Sequence, residues 1–232
     1  MAAGEGRRLR PLTERWPKPL LPIDGRAVIA TVLRELVEAG CTEITVVTGH
    51  LAEQLEAMVG DGSYFGVRVR YVRQPSADGS ADAVARALTA GATAPAIVVA
   101  ADTVFDPGAL SLFRREWERS GAPGAVAIRH GQPRSGGKSP IGVEGGRVVR
   151  VVVNDSDGEF TPAPLWGLAE ALVPELEGLH GPPFELGEAY QNAVEAGREI
   201  RAVLIGGTRD VTTPADLVVE NFAYLSADGR FC

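Results

Sequence analysis

The chain has 232 residues, 45% of them hydrophobic and 23% charged, enough apolar material for one well-filled core. Its net charge of -7 argues against broad binding to nucleic acid, whose phosphates reward clustered cations. No apolar run is long enough to cross a bilayer and MAAGEGRRLR lacks the greasy stretch of a signal peptide, so no membrane role and a cytoplasmic location are expected. Cys41 and Cys232 show no metal-ligand spacing.

In chain order, residues 1 to 26 come first and depart from the acidic whole. They carry six cations (Arg7, Arg8, Arg10, Arg15, Lys18, Arg26) against three acids (Glu5, Glu14, Asp24), which suits a small polyanion or, alternatively, a solvated arginine-rich surface. Short β-branched runs then alternate with stretches of helical period. TVLRELVEA (31 to 39), LAEQLEAMV (51 to 59), SADAVARAL (80 to 88) and GALSLFRREWERS (108 to 120) read as helices. EITVVTG (43 to 49), VRVRYVRQ (67 to 74), AIVVAAD (96 to 102) and AVAIR (125 to 129) read as strands. The order implies a doubly wound α/β fold, a mostly parallel mixed sheet flanked by helices, with ligands at the carboxyl ends of its strands. After residue 130, GVEGGRVVRVVV signals a hairpin through Gly145 and Gly146, so residues 130–165 are expected to form a small antiparallel insertion within one domain over 1–232. Helical patterns return at LAEALVPELEGL and FELGEAYQNAVEAG. A strand IRAVLIG follows, then a last helix from Pro214 with Thr213 as its cap.

The segment Ala2-Ala3-Gly4-Glu5-Gly6-Arg7-Arg8-Leu9-Arg10-Pro11-Leu12-Thr13 sets two glycines beside two arginines. Glycine lets backbone N–H groups approach an anion and arginine offers a planar fork to phosphate oxygens. A Walker loop would need Lys and Ser or Thr after the last glycine, and a dinucleotide fingerprint a third glycine where Leu9 stands. An ordinary surface turn stays open for the glycine pair alone. The next segment, Trp16-Pro17-Lys18-Pro19-Leu20-Leu21-Pro22-Ile23-Asp24-Gly25, is more specific. G-x-G-x-R-L-x-P-L-T followed by P-K-P-L-L-P-x-x-G resembles the signature of the sugar-1-phosphate nucleotidyltransferases, glucose-1-phosphate thymidylyltransferase among them.

That resemblance implies a Rossmann-like fold and a triphosphate cradled by Ala3, Gly4 and Gly6, with Arg8 and Lys18 acting in catalysis. Nucleotidyl transfer is largely alignment of two anions and neutralisation of charge, which fits those residue types. A lysine between prolines is expected to be held in a stiff extended segment. Arg73-Gln74-Pro75-Ser76-Ala77-Asp78-Gly79-Ser80 is similar to the family's second motif. By that resemblance Gln74, Gly79 and Ser80 bind the nucleotide and favour UTP or dTTP, and an amide suits an imide-like base edge. A polar turn capping the helix is the alternative. Asp102 and Asp210, the latter in Gly207-Thr208-Arg209-Asp210-Val211-Thr212-Thr213-Pro214-Ala215-Asp216-Leu217, match the family's two metal aspartates and imply Mg2+.

On the acceptor side the resemblance implies Gly142. The family's Glu-Lys is replaced by Val153-Asn154-Asp155, so Lys138 or Glu185 is expected to substitute, with Trp166 stacking on the acceptor or filling the core. The family also places a buried strand before Ala2, where only Met1 stands, so a start further upstream or a weakened fold is expected. The implied reaction joins a nucleoside triphosphate to a sugar 1-phosphate and releases pyrophosphate, with no general base and no catalytic role for His50, His130 or His180. Three alternatives are a catalytically silent regulatory nucleotide-binding paralogue, a cytidylyltransferase with a non-sugar phosphorylated acceptor, and a nicotinamide-dependent oxidoreductase. A homo-oligomer is left open.

Overall fold

The computed structural model describes residues 1–131, 140–151 and 158–222. A tight hairpin of β1 (Pro22–Ile23) and β2 (Arg26–Ala27) turns through Asp24 and Gly25, both with positive φ. Helix α1 (Val28–Glu38) follows, then β3 (Glu43–Thr48), α2 (Ala52–Val59), β4 (Arg68–Arg73), α3 (Ser80–Thr89), β5 (Ala96–Val99), β6 (Thr103–Phe105), α4 (Ala109–Ser120) and β7 (Gly124–His130). The expected hairpin is β8 (Gly142–Glu144) with β9 (Arg147–Arg150). The remaining elements are β10 (Phe160–Leu168), α5 (Leu186–Glu195), β11 (Ile200–Leu204), β12 (Thr208–Asp210) and α6 (Pro214–Asn221). No helix of the described residues is long and apolar enough to cross a membrane.

The sheet is mixed and flanked by helices. Six strands take the order β5-β10-β7-β11-β9-β8, while β3 and β4 pair in parallel and β6 pairs antiparallel with β12. Strand β7 shows why it sits at the centre: Ala125 and Ala127 pack into one apolar cluster with Leu110 and Phe113 of α4, whereas Val126 and Ile128 pack into another with Leu186 and Tyr190 of α5. Successive side chains of a strand point to opposite faces, and a strand covered on both faces reads as a continuous apolar run. Tyr190 keeps its buried hydroxyl satisfied by donating to Gly167 O at 2.6 Å, and burial raises its pKa.

Three elements depart from expectation. Strand β10 was not expected, because Pro162 and Pro164 supply no N–H to a ladder. It runs antiparallel between β5 and β7, with an irregularity in register between Pro162 and Trp166. The stretch LAEALVPELEGL is not an α-helix: Glu170–Leu176 form a 3₁₀ run that contains Pro174, whose ring opposes α-helical continuation. Lys18 is not extended but opens a single 3₁₀ turn, Lys18–Leu20, between the extended residues Pro17 and Leu21.

Met1 and Ala2 lie between β3 and β5. Ala2 forms a parallel bridge with Thr48 and donates to Val47 O at 2.8 Å, while Ala101 N donates to Met1 O at 2.9 Å. Behind them an apolar cleft of about 710 Å³ runs between the two strands, lined by residues such as Val32, Leu36, Ile44, Val84, Leu88 and Ile97.

Candidate nucleotide site

The ends of the strands build a second cleft, of about 490 Å³, at their carboxyl side. The lane of Met1 and Ala2 continues into the glycine loop, β4 continues into Gln74, and β5 continues into Ala100 and Asp102. Ala3, Gly4, Gly6, Arg8, Lys18, Gln74, Gly79, Ser80, Asp102 and Glu185 all line it. Residues spread over most of the sequence therefore meet because consecutive crossover units deliver their loops to one edge.

The loop presents donors. Among the described residues, the backbone N–H groups of Ala3, Gly4, Glu5 and Gly6 donate to no protein acceptor. Orphan amides turned to a cleft are the usual cradle of a phosphate. The loop's shape is set from behind. Gly6 has φ +62°, Thr13 Oγ1 donates to Gly6 O at 2.9 Å, and His50 donates from Nε2 to Thr13 O at 2.6 Å and from its backbone to Ala3 O at 3.3 Å. Of the neighbouring arginines, Arg7 and Arg10 pair with Glu5, whereas Arg8 makes no ion pair among the described residues. The hydrogen bond and charge of Arg7 hold the Glu5 carboxyl below its usual range.

Lys18 reaches across the cleft floor. Its Nζ lies 2.5 Å from Asp102 Oδ2, with only 17% of the lysine side chain exposed. Strand β6 starts directly after Asp102, and its Thr103 lies opposite Asp210 in the antiparallel ladder with β12. Both aspartates thus sit at the same end of one short ribbon, although Asp210 is not on the cleft wall itself. Asp210 Oδ2 accepts from Thr212 Oγ1 at 3.0 Å, and Thr212 does line the cleft. No group of three or more His, Cys, Asp or Glu side chains gathers among the described residues. A cation here would rest on two hard carboxylates completed by substrate phosphates, a donor set that fits Mg2+.

At the far lip, Gln74 is 4% exposed and donates from Nε2 to Gly79 O at 2.9 Å and Asp82 Oδ2 at 2.8 Å. Burial raises the pKa of Asp82, but the hydrogen bonds from Arg86 and Gln74 and the Arg86 charge outweigh it and hold the carboxyl below its usual range. Gly79 has φ +109°, and a side chain there would run into the backbone of Phe184. Phe184 N donates to Asp78 O at 2.7 Å, Ala81 N donates to Phe184 O at 2.9 Å, and the Ser80 hydroxyl donates to the Glu185 carboxylate. Asp82, Arg86, Phe184 and His50 carry no motif signal, since their roles arise only from tertiary neighbours, whereas Thr13 closes the first motif.

The acceptor-side expectations separate. Glu185 is on the cleft wall, but Trp166 is buried in the core with its ring 4.8 Å from that of Tyr190, so it offers no stacking platform. Gly142 sits in the β8–β9 hairpin opposite Arg150, away from the lining of the cleft. Lys138 and Val153-Asn154-Asp155 lie outside the described residues. His130 and His180 face Glu159 and Glu188 at the surface, not the cleft.

A wound α/β sheet with a donor-rich cleft at its strand ends defines a Rossmann-like architecture. The comparisons with known proteins give the family. The model of the nucleotidyl transferase family matches residues 1–135, and the chain belongs to that family. It is 28% identical to the low-salt glycan biosynthesis nucleotidyltransferase of Haloferax volcanii, over 95% of this chain and 64% of that protein. It is 29% identical to the glucose-1-phosphate thymidylyltransferase of Streptomyces griseus, over 100% of this chain and 67% of that protein. The chain thus spans about two thirds of the length of these curated relatives. The solved UDP-glucose pyrophosphorylase in complex with UDP-glucose shares the fold, with a TM-score of 0.83 at 20% identity over 96% of both chains.

Proposed function

We propose that the chain transfers a nucleotidyl group from UTP or dTTP to a sugar 1-phosphate, giving a nucleoside diphosphate sugar and pyrophosphate, and that it does so in the cytoplasm. The observation that carries this reading is the Lys18–Asp102 pair on the floor of a cleft whose rim is a loop of unengaged amides beside Arg8. The relatives named for thymidylyl and other nucleotidyl transfer support it.

The reaction is an in-line displacement. An oxygen of the sugar 1-phosphate forms a bond to the α-phosphorus, the bond to the bridging oxygen breaks, and pyrophosphate leaves with the electron pair. Lys18 offsets the charge that gathers on the α-phosphate, and the amides of Ala3 to Gly6 with Arg8 hold the departing pyrophosphate. The acceptor oxygen is already ionised at neutral pH, so no residue is needed to remove a proton. Asp102 and Asp210 would hold Mg2+, which neutralises phosphate charge when bound. Glu185 and Lys138 remain the proposed acceptor-side contacts. The test is pyrophosphate release across the common triphosphates and a panel of phosphorylated acceptors. Release with UTP or dTTP and a sugar 1-phosphate is expected, and binding of nucleotide without release under any combination would favour a regulatory role instead.

A further inference from the structure

We propose that Asp82 is a specificity-determining residue: it locks the Gln74 amide so that only its carbonyl oxygen is offered to the base, selecting uracil or thymine over cytosine. The inference rests on the nucleotidyl-transfer reading and deepens it at the base.

The polarity of the amide follows from its partners. Gln74 Nε2 donates to a backbone carbonyl, Gly79 O, and to a carboxylate, Asp82 Oδ2, at 2.9 and 2.8 Å. Neither partner can donate, so turning the amide over would lose both bonds and set Oε1 against two oxygens, one of them charged. Asp82 is itself held, because Arg86 one turn along α3 donates from Nε to the same Oδ2 at 2.6 Å. Gln74 Oε1 has no hydrogen-bond partner among the described residues, is not among their sealed unsatisfied side-chain atoms, and belongs to a residue of the cleft wall. What the lip presents is an acceptor of fixed direction.

A uracil or thymine ring carries an N3–H donor between two carbonyls and can complete that acceptor. Cytosine carries a lone pair at the same ring position, so two acceptors would face each other. An amide free to rotate would serve both bases equally, and the Arg86–Asp82 pair removes that freedom.

Calorimetric titration of UTP, CTP and 3-methyl-UTP into the parent chain, D82N and R86Q tests the proposal, with UTP:CTP selectivity in kcat/KM as the companion readout. Asparagine keeps the shape of aspartate but is neutral and can present its own N–H2 to Gln74, so that only Gly79 O still opposes turning the amide over. The parent is expected to bind UTP at least about tenfold more tightly than CTP or 3-methyl-UTP. D82N is expected to shrink the UTP:CTP ratio about tenfold, mainly through a gain for CTP, with an unchanged Tm, and R86Q to shift it less in the same direction. Equal binding of UTP and 3-methyl-UTP, or a ratio untouched by D82N, would overturn the proposal. Affinity is read apart from turnover, so absence of pyrophosphate release with base selectivity intact would count against the transfer reading alone.

Discussion

Lys18 carries the heaviest expectation for a single side chain. Its ammonium is 2.5 Å from Asp102 and largely buried, so its position is fixed before any substrate arrives. Replacement by alanine removes a preorganised positive charge, and kcat is expected to fall about 10²- to 10³-fold while the fold persists. Steady-state kinetics beside a melting curve would show it, and a kcat within a few-fold of the parent would remove Lys18 from the chemistry. Gly79 makes a different prediction. Its positive φ and the closeness of the Phe184 backbone leave no room for a methyl group, so G79A is expected to cost about 2 kcal/mol or more, read as a drop in Tm. At this scale Lys18, Gln74 and Gly79 were legible because each belongs to a spaced motif, and Asp102 because it closes a strand. Asp82 and Arg86 were not, since an acid and a base one turn apart on a helix read as an ordinary solvated pair until Gln74 is seen against them.

Between elements, Arg209 ties together pieces that the sequence keeps far apart. It donates to both oxygens of Asp24 in the β1–β2 turn, at 2.5 and 3.0 Å, and to Glu220 of α6 at 2.7 Å. Its hydrogen bonds to the carboxylates of Asp24 and Glu220 push its pKa above the ordinary arginine range. Glu220 is 9% exposed, so R209A would strand a carboxylate and is expected to cost about 2 kcal/mol, discounted for the exposed Asp24 side. Chemical denaturation would measure it, and an unchanged midpoint would show that the clamp is only a surface pair. The apolar periods of α1 to α5 and the β-branched runs of β3, β4, β7 and β11 were readable because burial imposes those periods directly. The proline-bearing β10 and the three-residue β6 and β12 were hidden, because their pairing is decided by partners elsewhere in the chain.

For the molecule as a whole, the apolar cleft between β3 and β5 is the notable opening in the core. Ala2 stands opposite Thr48, and the ladder at Met1 follows the same direction as β3 and β5. We expect that about four apolar, β-branched residues joined ahead of Met1 would run along both strands to the level of Glu43 and Ala96. Such an extension is expected to raise Tm by several degrees, whereas the same extension carrying a central proline is not. Equal melting of the two forms would exclude a strand in that lane.

The meeting of two distant carboxylates at one cation is the claim on which the proposed chemistry depends, and binding of Mn2+ as a stand-in for Mg2+ tests it most directly. With UTP present, electron paramagnetic resonance should count one tightly held Mn2+ on the parent chain. D102N and D210N should each weaken that ion, and the double variant should weaken it by less than the two single effects combined, as expected of ligands sharing one site. If D210N held Mn2+ as tightly as the parent, or if the two effects simply added, the shared site between β6 and β12 would be contradicted.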